Sequence, residues 1–173
     1  MGRAHRFHEG VPVTSLEHPY FVGVDAEPSD RVEVVWERYL ELNGENLAVA
    51  LWSRPGVAAD TPTLDAFTRL LDDLGTIDER SREALRDALT ADAAYLDHHV
   101  QGVDPRPATL DPDAREIDVD TFVAAMEPTG IDLRPGPDAT AVIEYMIDPD
   151  EGDEAMTVTY TPAGDRLGVA WDR

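Results

Sequence analysis

The sequence predicts an α+β fold, in which an antiparallel sheet, formed by an N-terminal hairpin and a C-terminal meander, is covered by central helices. Three observations predict this fold. A segment rich in β-branched and aromatic residues precedes an Asn-Gly turn, leucines recur at helical spacing in the middle of the chain, and four short apolar segments separated by turn residues close it.

The hairpin is predicted over residues 32–52. Side chains alternate between apolar and polar along part of residues 32–42, as expected for a strand with one buried face. Asn43 and Gly44 follow, the dipeptide best suited to positive φ at both central positions of a two-residue turn. Residues 47–52 are apolar and return as the partner strand.

Two consecutive helices are predicted to follow the hairpin. Thr61 and the proline after it suit the cap and first turn of a helix, and Gly75 suits its end. Asp78 suits the N-cap of a second helix, whose apolar stripe continues to about Val100.

The last third of the chain is predicted to contain a proline-rich loop, a short helix and four strands. The loop covers residues 103–117 and the helix covers residues 118–127. Short turns between the strands favour an antiparallel meander. The strands are predicted at residues 131–134, 141–147, 156–161 and 167–171.

The length of 173 residues suits one domain, residues 1–173, which can bury a core without disulfides or metal. Residues 1–30 are expected to form a loose N-terminal arm, with a short strand at Tyr20–Val24. No secretory signal is visible, and no uncharged apolar run approaches the roughly 20 residues needed to span a bilayer. A cytoplasmic location is therefore expected.

The charge is the most unusual property of the chain. Asp and Glu number 36 against 14 Lys plus Arg, all of them arginine, for a formal net charge of -22. Nucleic acids and anionic membranes are disfavoured as partners, because both are bound through basic side chains. The absence of cysteine excludes disulfides, and the absence of lysine excludes Schiff-base chemistry.

Three interpretations of this charge stay open. It is explained by adaptation to a salt-rich cytoplasm or by a GC-rich genome, which would replace lysine with arginine. It is also explained by an acidic face that attracts a basic protein partner. The third interpretation is that clustered carboxylates bind divalent cations.

A candidate metal site is formed by His98 and His99 with the acidic residue Asp153. Imidazole and carboxylate groups are the ligands that zinc and iron accept. Neighbouring residues on a helix point about 100° apart, so further ligands would have to come from elsewhere, such as His5, His8 or His18. In the alternative interpretation one histidine interacts with the negative end of its helix and the other is packed or solvated.

Signatures of catalysis and of cofactor binding are absent from the sequence. The serines do not lie in a Gly-x-Ser-x-Gly motif, and neither a phosphate-binding loop nor a dinucleotide fingerprint occurs. No cofactor and no catalytic residue are therefore assigned. Trp36, Trp52 and Trp171 lie on predicted strands, where they would form either a binding platform or part of the core.

Several segments of the chain together resemble one known family. They are the early hairpin with Asn43-Gly44, Tyr95-Leu96-Asp97-His98-His99 at a helix end, Glu144-Tyr145, the acidic turn with Asp153, the strand and turn from Met156 to Gly164, and the closing Trp171-Asp172-Arg173. From about residue 32 to its end the chain resembles DUF2004, a bacterial family of unknown function. The resemblance implies a small bacterial cytosolic α+β protein without an established activity.

Two hypotheses for function follow from these observations. The first is a non-enzymatic interaction domain, such as an inhibitor, an immunity-type protein or an adaptor, whose partner is a basic protein. The second is a metal-binding domain or metal-dependent enzyme that uses His98 or His99 with nearby carboxylates. The sequence does not predict an oligomeric state.

Overall fold

The computed structural model describes residues 16–25, 27–101, 110, 117–150 and 154–172, which form an α+β fold. Its elements in chain order are β1 (Val34–Leu42), β2 (Glu45–Trp52), α1 (Thr61–Asp72), α2 (Leu74–Ala91), α3 (Ala94–Gln101), α4 (Val119–Ala125), β3 (Glu127–Arg134), β4 (Thr140–Met146), β5 (Ala155–Tyr160) and β6 (Arg166–Asp172). The α+β class, the N-terminal hairpin and the C-terminal strands predicted from the sequence are confirmed.

The described strands form one six-stranded sheet in the order β1-β2-β3-β4-β5-β6. All neighbouring strands are antiparallel except β2 and β3, which are parallel. A parallel pair requires a long crossover, and here the chain between β2 and β3 contains all four described helices. The sheet predicted as antiparallel therefore contains one parallel pair, where the hairpin joins the meander.

The hairpin turn has the geometry that its sequence predicts. Asn43 has φ of 56° and Gly44 has φ of 91°, while Leu42 pairs with Glu45 across the turn. Positive φ at both positions matches the twist of a two-residue hairpin and is easiest for asparagine and glycine.

The core lies between the helices and one face of the sheet. A buried row of β-branched side chains crosses the sheet in register from Val49 through Ile131 and Ile143 to Val158. These side chains belong to one hydrophobic cluster with residues of the helices, among them the fully buried Phe67. Burying a side chain of this size stabilises the fold by about 1.5–3 kcal/mol.

The boundary between the first two helices differs from the prediction. Asp60, not Thr61, caps α1, since its Oδ1 accepts a hydrogen bond of 2.8 Å from the Thr63 backbone N–H. Gly75 does not end α1 but lies in the first turn of α2, without a positive φ. The helical region also divides at Asp92, so α2 does not continue unbroken towards Val100.

Asp78 is not an N-cap but a buried carboxylate inside α2, with 5% of its surface exposed. Tyr145 on β4 donates a 2.8 Å hydrogen bond to its Oδ1, and Asn43 of the hairpin turn donates to its Oδ2. Arg82 pairs with the same carboxylate at 3.1 Å and donates to the carbonyls of Val123 and Met126. The network ties α2 to the hairpin turn, the central sheet and the end of α4.

Two further predictions are corrected by the structure. Residues 20–23 form a bend and turn rather than a strand, and Phe21 and Val24 are buried in the core. These two residues belong to the core cluster, whereas the loose arm over residues 1–30 stays a prediction. The helix predicted to reach residue 127 ends at Ala125, and β3 begins at Glu127. The predicted loop at residues 103–117 lies mostly outside the described residues.

Candidate metal-binding site

Two histidines and one glutamate meet beside the C-terminal end of α3. His98 and His99 lie in the last turn of α3, and Glu154 immediately precedes β5. The Oε2 atom of Glu154 lies 3.2 Å from Nε2 of His98 and 3.8 Å from Nε2 of His99. Three potential ligand atoms thus converge from two separate elements of the fold.

These distances are close to those that a tetrahedral metal ion requires. Zinc lies about 2.0–2.2 Å from nitrogen and oxygen ligands, which places two ligands of one tetrahedral ion about 3.3 Å apart. One of the two His–Glu distances is at this value and the other is slightly longer. All three ligand atoms lie within 4.8 Å of one another, so the three side chains could hold one ion between them.

Two of the three ligand atoms are buried without a hydrogen-bond partner. They are Nε2 of His99 and Oε2 of Glu154. The approach of His98 Nε2 to Glu154 is within ion-pair distance, but its alignment does not make a hydrogen bond. Buried polar atoms in proteins are normally satisfied, and an orphaned one costs about 1–3 kcal/mol. A bound cation would satisfy both atoms at once.

The surroundings of His99 favour its neutral imidazole, which is the form that binds metal. Burial lowers the pKa of His99, and the neighbouring His98 lowers it further, whereas Glu154 and Asp148 act in the opposite direction. A lowered pKa keeps the imidazole neutral, which is the form that binds metal. The side chain of His99 is 14% exposed, whereas that of His98 is 47% exposed.

Aromatic residues hold the site from the core side. The Tyr95 ring contacts the His99 ring at 4.5 Å between centroids, and Trp171 contacts His98 at 5.6 Å. The hydroxyl of Tyr95 donates a 3.3 Å hydrogen bond to the backbone carbonyl of Glu154. Burial raises the pKa of Tyr95 to about 12, so its hydroxyl keeps the proton that it donates. These contacts connect the two elements that supply the ligands.

The predicted ligands are only partly brought together by the fold. His98 and His99 face a common carboxylate, although neighbouring helical positions point roughly 100° apart. Asp153 lies outside the described residues, as do His5 and His8. Within the described part of the acidic turn the carboxylate that faces the histidines is Glu154.

His18 is not available as a further ligand. Its Nδ1 accepts hydrogen bonds from the backbone N–H groups of Tyr20 and Phe21, at 3.2 and 3.1 Å. Its Nε2 lies 3.1 Å from Oδ1 of Asp65, which leaves that nitrogen as the donor. Both ring nitrogens are therefore used in holding residues 18–21 against α1.

The three tryptophans do not form a common platform. Trp36 packs on Phe21 at 4.7 Å between ring centroids, whereas Trp171 lies against Tyr95 and His98. Trp52 donates a hydrogen bond of 2.7 Å to Asp132. Each indole thus has separate surroundings, and only Trp171 adjoins the candidate metal ligands.

Comparisons of this chain with protein-family models, with curated proteins and with solved structures found no match. The resemblance to DUF2004 accordingly stays a prediction. In the part of the chain that the structure describes, none of the helices has the length and apolar character needed to cross a membrane.

Proposed function

We propose that this protein binds a divalent metal ion through His98, His99 and Glu154, and that the preferred ion is zinc. The proposal rests on the convergence of two imidazole nitrogens on one carboxylate oxygen, at 3.2 and 3.8 Å. Zinc accepts this set of ligands, whereas calcium and magnesium prefer oxygen ligands alone. The second hypothesis drawn from the sequence is thereby favoured, with Glu154 in the role expected of Asp153.

Three protein ligands leave a tetrahedral ion with one open position. Structural zinc sites have four protein ligands, whereas catalytic sites keep one position for water or substrate. The partial exposure of His98 and Glu154 leaves room for such a molecule. A metal bound here would be able to polarise a bound group or lower the pKa of a bound water.

Calorimetric titration with Zn²⁺, on protein purified without a histidine tag, tests the proposal. We expect one ion per chain for the site, and a loss of affinity of at least about tenfold for His99→Ala and for Glu154→Gln, because each removes a ligand. Asp150→Asn, in the same acidic turn, removes an exposed carboxylate and serves as the matched control.

A second pair of variants separates this site from the N-terminal histidines. The double variant His5→Ala/His8→Ala should retain the wild-type affinity. The proposal is wrong if this variant abolishes zinc binding while His99→Ala and Glu154→Gln leave it unchanged, or if zinc does not bind at all.

The other hypothesis, a non-enzymatic interaction domain with a basic protein partner, is favoured by the net charge of -22. Attraction between oppositely charged surfaces weakens as salt screens it. A stoichiometric partner recovered from native lysate at low salt and lost at high salt would support it. The expected cytoplasmic location stays a prediction, as does the bacterial origin that the DUF2004 resemblance implies.

A further inference from the structure

A cavity of about 500 Å³ lies at the carboxyl ends of β2 and β3. Trp52 and Ser53 line it at the end of β2, and Pro135 lines it just after β3. These two strands are the parallel pair of the sheet. The crevice outside the carboxyl ends of parallel strands is where open sheets with helical crossovers commonly bind ligands, and this volume suits a small organic molecule.

The walls of the cavity combine an apolar floor with an acidic rim. The floor includes Val24 and Leu51, both buried in the core. Three exposed acidic residues, Asp25, Glu27 and Glu33, line the cavity, and among the described residues that line it none is basic. Such a cavity attracts a cation and repels an anion.

Hydrogen bonds fix the shape of the rim. Ser29 Oγ donates to Oε1 of Glu33 at 2.9 Å, which orients that carboxylate. The buried Ser53 hydroxyl donates to the carbonyl of Arg31 at 2.7 Å and accepts from the backbone N–H of Glu33 at 3.1 Å. The segment just before β1 is thereby joined to the residue just after β2, and these bonds hold this side of the cavity in place.

Two further contacts bear on the kind of ligand. Trp52 is held by the 2.7 Å hydrogen bond from its indole to Asp132, and indole is the side chain that attracts cations most strongly through its ring. Ala59 lines the cavity just before α1, but the N-terminus of α1 is already capped by Asp60. The helix end therefore offers little to an anion.

We propose that this cavity binds a small organic cation, a guanidinium or primary ammonium group on a short apolar stem. The charged group would pair with Glu33 and the neighbouring carboxylates, and the stem would lie on the apolar floor beside Trp52. The site uses none of the residues of the candidate metal site, so the two proposals stand or fall separately.

Calorimetry at low salt with n-butylguanidinium and its neutral isostere n-butylurea tests the proposal. We expect saturable binding of n-butylguanidinium only. Glu33→Gln and Glu27→Gln should each weaken it by about tenfold, because a hydrogen bond to a charged group is lost. Glu41→Gln, an exposed acid at the far end of β1, is the matched control, and circular dichroism melting confirms that each variant folds.

A blocked Gly-Arg-Gly peptide distinguishes a free small molecule from an arginine side chain of a partner. Binding of either the peptide or n-butylguanidinium, with loss in the Glu33 and Glu27 variants, supports the site. The proposal is overturned if neither probe saturates, if n-butylurea binds as well as n-butylguanidinium, or if Glu41→Gln weakens binding as much as Glu33→Gln.

Discussion

His99 illustrates how one partly buried side chain connects stability to pH. Burial lowers its pKa in the folded protein from the ordinary value of 6.5. Between that lowered value and 6.5 the unfolded chain binds the proton more readily than the folded chain does. Stability from this residue is therefore present above about pH 6.5 and is lost as pH falls through the folded pKa.

We predict that metal-free wild-type protein loses more stability between pH 7.5 and pH 5.5 than His99→Gln does. Glutamine does not titrate, so the part of the pH dependence due to His99 disappears. Urea unfolding at several pH values measures the difference. His98→Gln, at the more exposed neighbour, should retain most of the wild-type dependence. Identical pH dependence in wild-type protein and His99→Gln would contradict the prediction.

The two histidine ligands can be predicted from the sequence, but the carboxylate that faces them cannot. His98 and His99 are recognisable as ligand types, whereas Glu154 is one of several acids in a turn far along the chain. Its position depends on how β4 and β5 pair, which no local pattern shows. The buried position of Asp78 is hidden for a similar reason, since its partners Asn43 and Tyr145 come from the hairpin turn and from β4.

Local signals predicted the hairpin and the meander well, because alternation and turn residues act over a few positions. The parallel pairing of β2 with β3 was not predicted, because it depends on where the chain returns after four helices. Glycine commonly ends helices, which is why the sequence predicts the end of α1 at Gly75, but in the structure the single residue Asp73 separates α1 from α2.

A substitution at Gly75 tests the boundary between α1 and α2, and a substitution at Gly44 of the hairpin turn serves as the comparison. Gly75→Ala should stabilise the protein by about 0.5–1 kcal/mol, because alanine suits a helix better and its Cβ would meet nothing within 4 Å. Gly44→Ala should destabilise it by about 1 kcal/mol, because Gly44 has φ of 91°. Chemical denaturation measures both free energies of unfolding.

The opposite result at Gly75 would restore the interpretation of this residue as a helix end. A glycine that ends a helix usually adopts positive φ, so alanine there would cost about 1 kcal/mol. Destabilisation by Gly75→Ala of the same size as by Gly44→Ala would therefore contradict the continuous start of α2.

The acidity of the whole chain is expected to govern its response to salt. A net charge of -22 destabilises the folded state through self-repulsion, and salt screens this repulsion. We predict that the melting temperature rises steadily from low to molar NaCl. The double variant Glu37→Gln/Glu41→Gln, which removes two exposed acids of β1, should gain stability at low salt and respond less to added NaCl. A flat salt response would reject the adaptation interpretation.

The metal site is the central claim, and anomalous X-ray diffraction at the zinc absorption edge, from crystals grown with Zn²⁺, tests it most directly. We predict one strong anomalous peak between the three side chains. The zinc ion placed in it should lie about 2.0–2.2 Å from Nε2 of His98, Nε2 of His99 and Oε2 of Glu154. A fully occupied peak elsewhere on the chain, or a fold that matches this structure with no peak between these three side chains, would contradict the claim.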